Sequence, residues 1–145
     1  MDFSKLVVYM ADDDADDRYI MHKALREAAP SVTLIEAENG DDLLLMLDAR
    51  SREPASAPVH LILLDMNMPK VNGLETLTAI RSNPALRHIP AVMMSTSAEP
   101  AQVAVAYQHG INGYIQKPTT YSHMRQIAQA IKICFLNAVG GHVQR

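Results

Sequence analysis

The chain has 145 residues, 48% apolar and 20% charged, which suits one globular domain with a core of its own. Its net charge of −3 argues against a general nucleic-acid-binding surface, and its one cysteine, Cys134, excludes a disulfide framework and a cysteine-rich zinc site. No apolar run is long enough to cross a bilayer, and the opening MDFSKLVVYM lacks the layout of a signal peptide, so a cytoplasmic protein with no membrane segment is expected.

Strand and helix patterns alternate along the whole chain. Lys5 to Ala11 reads as the first strand. The acidic loop Asp12 to Asp17 runs into a helix whose apolar face is Ile20, Met21, Ala24, Leu25 and Ala28, and Pro30 closes it. Val32 to Ala37 is the second strand, and Asn39-Gly40 is turn chemistry. Asp41 opens the second helix, with Leu43, Leu44, Met46 and Leu47 inward. Ser51 to Pro58 is a polar surface loop. Val59 to Leu64 is the third strand, apolar without alternation, as expected where both faces of a parallel sheet are covered. Gly73 to Ile80 is a short helix. Pro90 opens the fourth strand, Ala91 to Met94, and Glu99-Pro100 starts the fourth helix. Gly110 suits a left-handed cap, and Gly113 to Gln116 is a short fifth strand. The last helix, Ser122 to Ala138, carries Met124, Ile127, Ala128, Ile131, Cys134 and Phe135 at helical spacing, with Cys134 as a small core side chain. The tail Gly140 to Arg145 is expected to fray.

Five β–α units of this size imply an α/β fold, a doubly wound parallel sheet with helices on both faces. Right-handed crossovers then restrict the topology. In such a sheet, chemistry collects at the carboxyl ends of the strands. There stand Asp12-Asp13-Asp14 after the first strand, Asp65 after the third, Ser95-Thr96-Ser97 after the fourth and Lys117-Pro118 after the fifth. Carboxylates brought together repel one another unless one is protonated or a divalent cation sits between them. Oxygen ligands with open water positions suit magnesium. Asp65 could then attack a phosphoryl group, with Lys117 pairing one of its oxygens as a point charge and Ser95 donating to another. Neither GxGxxG nor GxxxxGK[ST] occurs, so no glycine-rich loop cradles a phosphate. The six histidines are scattered without ligand spacing. Asp14, Asp16 and Asp17 read as a solvated helix start.

Four motifs in order, ADDDADDR, LLDMNMPKVNG, MMSTS and GYIQKP, resemble the response regulator receiver domain, the phosphoacceptor half of two-component signalling. The resemblance runs from about Lys5 to about Val139 and makes residues 1–145 one receiver domain with no output domain. It implies the flavodoxin-like (βα)5 fold with strand order 2-1-3-4-5. It implies Mg²⁺ (or Mn²⁺) held by Asp12, Asp13, Asp65 and the backbone carbonyl of Asn67. Asp65 matches the phosphoacceptor, Lys117 the family lysine before a cis-proline, Pro118, and Gly73 the glycine opening the third helix. Ser95 matches the hydroxyl switch, Tyr114 the aromatic switch, and Thr96 the small neighbour of the site. Asn67 and Ser97 match the positions that tune dephosphorylation, and both are polar and uncharged. Two registers stay open: the metal pair within Asp12-Asp14, taken as Asp12 and Asp13, and the hydroxyl within Ser95-Thr96, taken as Ser95.

By this resemblance the chain is a signalling switch, not a turnover enzyme, and it assists its own phosphorylation and dephosphorylation. The implied partners are a sensor histidine kinase or a histidine phosphotransfer protein. The acidic segment, the Ser51 to Pro58 loop and Asn83 to Pro90 resemble the stand-alone regulators of bacterial phytochromes. That subgroup implies a homodimer through the fourth helix, fifth strand and fifth helix. Thr119 stands where the family often has Phe or Leu, so the resemblance does not specify the partner surface. A phosphorelay intermediate and a chemotaxis-type effector are open alternatives. So are a haloacid-dehalogenase-like phosphatase and a pseudo-receiver that works unphosphorylated. The phosphatase wants a second carboxylate two positions after the first, where this chain has Asn67. The complete acidic pair, hydroxyl and lysine speak against the pseudo-receiver.

Overall fold

Residues 6–137 are described by the structure, a computed structural model of the chain. The strands are β1 (Leu6–Ala11), β2 (Val32–Ala37), β3 (Leu61–Asp65), β4 (Ala91–Ser95) and β5 (Gly113–Gln116). The helices are α1 (Ala15–Ala28), α2 (Gly40–Ser51), α3 (Gly73–Ser82), α4 (Pro100–Gln108) and α5 (Tyr121–Ile131), and a π-helical turn, Lys132–Leu136, extends α5. All pairings are parallel, and the sheet order is β2-β1-β3-β4-β5. This is the flavodoxin-like receiver arrangement expected from the motifs.

The pleat sends successive strand residues to opposite faces. Val7, Tyr9, Ile62, Leu64 and Met93 pack with Leu43 and Leu47 of α2 and Leu77 and Ile80 of α3. Val8, Met10, Leu61, Leu63 and Met94 pack with Met21 and Leu25 of α1 and Met124, Ala128 and Ile131 of α5. All of β3 is buried, which is why its sequence shows no polar alternation. Asp65 is therefore fixed by a strand gripped on both sides.

The helix starts follow from their caps. Asp14 accepts from the backbone N–H of Asp16 and Asp17, Asn39 from Asp42, and Asn72 forms a reciprocal capping box with Glu75. Pro100 is at the first turn of α4, and Gly110 has the left-handed φ of 98° expected after that helix. Among the described residues, no helix is long and apolar enough to cross a membrane.

Three expectations about packing differ from the structure. Ile20 and Met46 are exposed, because the buried arcs of α1 and α2 are narrow: Met21, Ala24, Leu25 and Ala28 fill one, and Leu43 and Leu47 the other. Cys134 is exposed. The π-helical turn adds a residue per turn, so the position three beyond Ile131 swings outward and Leu136, five beyond, is buried instead. The expectation of a frayed tail falls on residues outside those described, as does the end of the expected last helix.

Lys70, in the loop after β3, has φ 66°, a left-handed conformation that costs an L-residue about 1–2 kcal/mol. Lys70→Gly should raise stability by about 0.5–1 kcal/mol, since glycine loses more unfolded-state entropy but carries no Cβ. Urea unfolding measures this, and a destabilised variant would show that the lysine side chain compensates for its backbone.

Candidate functional site

The sheet order sets the carboxyl ends of β1, β3, β4 and β5 side by side. Asp12 follows Ala11, and its backbone N–H donates to the Ala37 carbonyl at 3.1 Å, continuing the ladder with β2. Asp65 ends β3 opposite Met94. Asp12 and Asp65 are buried and Asp13 is exposed, and the three offer carboxylate oxygens all within 4.8 Å of one another. Neighbouring ligand oxygens around Mg²⁺ stand about 3–4 Å apart, given metal–oxygen distances near 2.1 Å, so small side-chain rotations suit this set to a small hard cation. Within the acidic run, burial and capping set the three aspartates apart. Asp12 is inside and Asp13 joins the cluster. Asp14 is occupied as the cap of α1.

Lys117 is set by its backbone, whose N–H donates to the Ser95 carbonyl at 2.7 Å. Its ammonium donates to Asp17 Oδ2 at 2.8 Å and to Asp12 Oδ2 at 3.0 Å, and lies 3.5 Å from Asp65 Oδ1. Burial alone would lower its pKa, but the bonds to Asp17 and Asp12 and the nearby carboxylate charges hold it above the usual lysine range. Asp65 goes the opposite way for a carboxylate. Burial first, and the Asp12 charge second, push it up to about 6, outweighing Lys117 and the Asn67 backbone N–H. One carboxylate is thus poorly stabilised as an anion, which favours a cation beside it.

The two neighbouring hydroxyls at the end of β4 have different surroundings. Ser95 is fully buried at the end of β4, and Thr96 is exposed. Ser95 Oγ accepts from the Ser97 backbone N–H at 3.1 Å, and the Tyr114 hydroxyl donates to the Ser97 carbonyl at 2.9 Å. The two switch candidates are therefore tethered to one residue. The Asn67 backbone N–H donates to Asp65 Oδ1 at 3.2 Å, and Asn67 and Asp13 line the same open groove. The cis geometry expected at Pro118 is not found: no cis peptide bond occurs among the described residues. Trans is the lower-energy isomer of an X–Pro bond by about 0.5–1 kcal/mol, and the Lys117 ammonium reaches its aspartates from it.

Asp17 is the residue that sequence reasoning missed. It was expected to be solvated, yet its side chain is only 39% exposed and bonds Lys117. It is the third residue of α1, and a helical side chain leans back over the turn preceding it, here towards the strand ends. That position was the only signal in the sequence.

Comparison with known proteins agrees with this geometry. The sequence profile of the response regulator receiver domain matches residues 8–129. Response regulator Rcp1 of Synechocystis sp. is 30% identical over 135 residues, covering 93% of this chain and 91% of Rcp1. The crystal structure of the phosphorylated cyanobacterial phytochrome response regulator RcpA superposes with a TM-score of 0.82 at 28% identity, covering 92% of this chain and 96% of RcpA. The Mn²⁺-bound form of Rcp1 gives 0.76 at 28% identity, covering 89% and 93%. With an acidic pocket at the strand ends, a matching profile over most of its length and the same sheet order, the chain belongs to the response regulator receiver domain family.

Proposed function

We propose that this receiver is a cytoplasmic phosphorylation switch, charged on Asp65 by a sensor histidine kinase or a histidine phosphotransfer protein. The observation that carries the reading is the placement of Asp65, buried at the end of β3 between an acidic pair and an ammonium. The phosphorylated state of RcpA and the Mn²⁺ bound by Rcp1 support it by similarity. Asp12, Asp13, Asp65 and the Asn67 carbonyl would hold Mg²⁺ or Mn²⁺. When bound, that ion supplies charge neutralisation for an incoming phosphoryl group.

The chain's own residues do the rest. An Asp65 oxygen forms a bond to phosphorus as the P–N bond of a phosphohistidine breaks, and the electron pair leaves with the imidazole nitrogen. Lys117 offers an N–H to a phosphoryl oxygen. Ser95 turns its hydroxyl towards another, giving up the Ser97 N–H it now accepts from. Since Tyr114 is tied to the carbonyl of the same Ser97, movement there loosens the aromatic ring. The affected face is that of α4, β5 and α5. Coupling of this size, about 1–3 kcal/mol, shifts populations without remodelling the fold. Water then hydrolyses the acyl phosphate past Asn67 and Ser97, which are uncharged and leave an intermediate lifetime. Exposed Tyr107 and Val105 on α4 give that face apolar surface for a partner, and the subgroup resemblance makes a second copy of the chain the partner to test. Gel filtration with and without a phosphoryl mimic tests this: an unchanged elution volume would leave a monomeric shuttle.

Incubation with acetyl phosphate and Mg²⁺ followed by intact-mass analysis tests the acceptor. Wild type should gain one phosphoryl group, while Asp65→Asn, or wild type with a chelator, should gain none. Equal labelling of wild type and Asp65→Asn would remove Asp65 from its role. Lys117→Ala should still accept some phosphate but fail to pass the signal on.

A further inference from the structure

Asp17 makes the shortest contact with Lys117, although no role has been assigned to it. Nζ is 2.8 Å from Asp17 Oδ2 and 3.0 Å from Asp12 Oδ2, but 3.5 Å from Asp65 Oδ1, beyond an ordinary hydrogen bond. An ammonium has three donors and no acceptor. Two of them are committed to Asp12 and Asp17, so the third is left for the side where Asp65 stands. The placement of Asp17 is built in. Asp14 caps α1 by accepting from the backbone N–H groups of Asp16 and Asp17, at 2.8 and 3.2 Å. Arg18, next in the helix, donates to the Asp12 carbonyl at 2.7 Å and ties the first turn of α1 to the end of β1.

Without Asp17 the ammonium would have only Asp12 and Asp65 to face. Attraction between opposite charges in a partly dry site grows as they close, so Lys117 would move onto Asp65. A closed pair there occupies the oxygen that the cation and the phosphoryl group need. We propose that Asp17 is a positioning residue that holds the Lys117 ammonium one step back from Asp65, beside the acceptor but not bonded to it. This deepens the phosphoacceptor reading and rests on it. The extra carboxylate on α1 would then keep the resting site open to its cation.

The test compares Asp17→Ala, Asp17→Glu and Asp16→Ala, with Mg²⁺ itself as the probe. Asp16 is exposed in the same turn and carries the same charge, but among the described residues the carboxylates that reach Lys117 are those of Asp12, Asp17 and Asp65. Mg²⁺ titration followed by backbone amide resonances of the folded protein reads affinity. Asp17→Ala should weaken Mg²⁺ binding about tenfold, because the cation must now displace Lys117 from Asp65. Asp16→Ala, which changes only long-range charge, should weaken it by less than about twofold. Asp17→Glu should bring affinity back to within about threefold of wild type. The side-chain ammonium resonance of Lys117 in metal-free protein should shift in Asp17→Ala and not in Asp16→Ala. Equal effects of Asp17→Ala and Asp16→Ala, or no recovery in Asp17→Glu, would overturn the proposal. The readouts stand apart from phosphorylation. A wild type that binds Mg²⁺ but takes no phosphoryl group on Asp65 would defeat the proposed function, while the Mg²⁺ and ammonium comparisons would still decide what Asp17 does.

Discussion

Asp65→Asn should stabilise the metal-free protein by about 2–3 kcal/mol at about pH 8, and the gain should disappear below about pH 4. The carboxyl of Asp65 is pushed up to about 6 from 3.8, first by burial and then by the Asp12 charge. A raised value means that the folded protein binds this proton more tightly than the unfolded chain does. The stability linked to the proton is therefore complete below the unfolded pKa, and it is lost as pH rises through the folded one. Above that, the native state must carry an anion in a buried, like-charged place, and asparagine removes it at nearly constant volume. The amide oxygen can still accept from the Asn67 backbone N–H, so the local hydrogen bond survives. Urea unfolding in chelator, of both proteins across this pH range, measures the difference. Adding Mg²⁺ should raise the wild type and leave the variant little changed, because a ligand stabilises only the state that binds it. Parallel curves for the two proteins at all pH values would mean that Asp65 is as well solvated as an ordinary surface carboxylate. A residue that destabilises its own resting fold and is relieved by a cation has the properties of a functional site.

What could be read from the sequence follows the range of the forces involved. The doubly wound parallel class needed only local patterns, because β3 shows an unbroken apolar run and each crossover is long enough for a helix, whereas the strand order followed from the family resemblance. Asp65 was legible because a charge at the end of such a run has no packing reason to be there. Asp17 was not, since acidic groups in a first turn are already explained by the helix dipole, and its partner Lys117 lies 100 positions away in the chain. Cys134 was misplaced for a different reason. Its spacing fits an α-helix, and only the π-helical turn, which the local pattern does not announce, moves Leu136 into the buried place. The three aspartates after β1 differ only by one step in register. The capping bonds of Asp14 separate them, and these depend on where the helix actually starts.

Gly73→Ala should cost about 3 kcal/mol and slow phosphorylation of Asp65 together. Alanine is ordinarily favoured over glycine in a helix by about 1 kcal/mol, so propensity predicts the reverse. Sterics decide it. A Cβ at Gly73 would run into the Asp65 carbonyl oxygen and come within 2.9 Å of both Met66 Cα and Met93 Sδ. The methionine tip could yield, but the carbonyl and Cα are backbone and cannot rotate away. The helix would have to lift from the end of β3, straining the bond from the Gly73 N–H to the Met66 carbonyl, now 3.0 Å. Gly113→Ala is the matched control. Its Cβ would meet nothing nearer than Val92 Cγ2 at 3.5 Å, an ordinary contact, so its stability should stay within about 0.5 kcal/mol of wild type. Urea unfolding of the two variants, with acetyl phosphate labelling under matched Mg²⁺, separates the effects. If Gly73→Ala were as stable as Gly113→Ala, α3 could not be seated as closely on β3 as the structure has it. The close seat has a chemical reason. The carboxylate that the proposed function needs buried and aimed belongs to the same residue whose carbonyl the glycine admits, so the absence of one methyl group on α3 lets β3 end with Asp65 set beside Asp12 and Lys117.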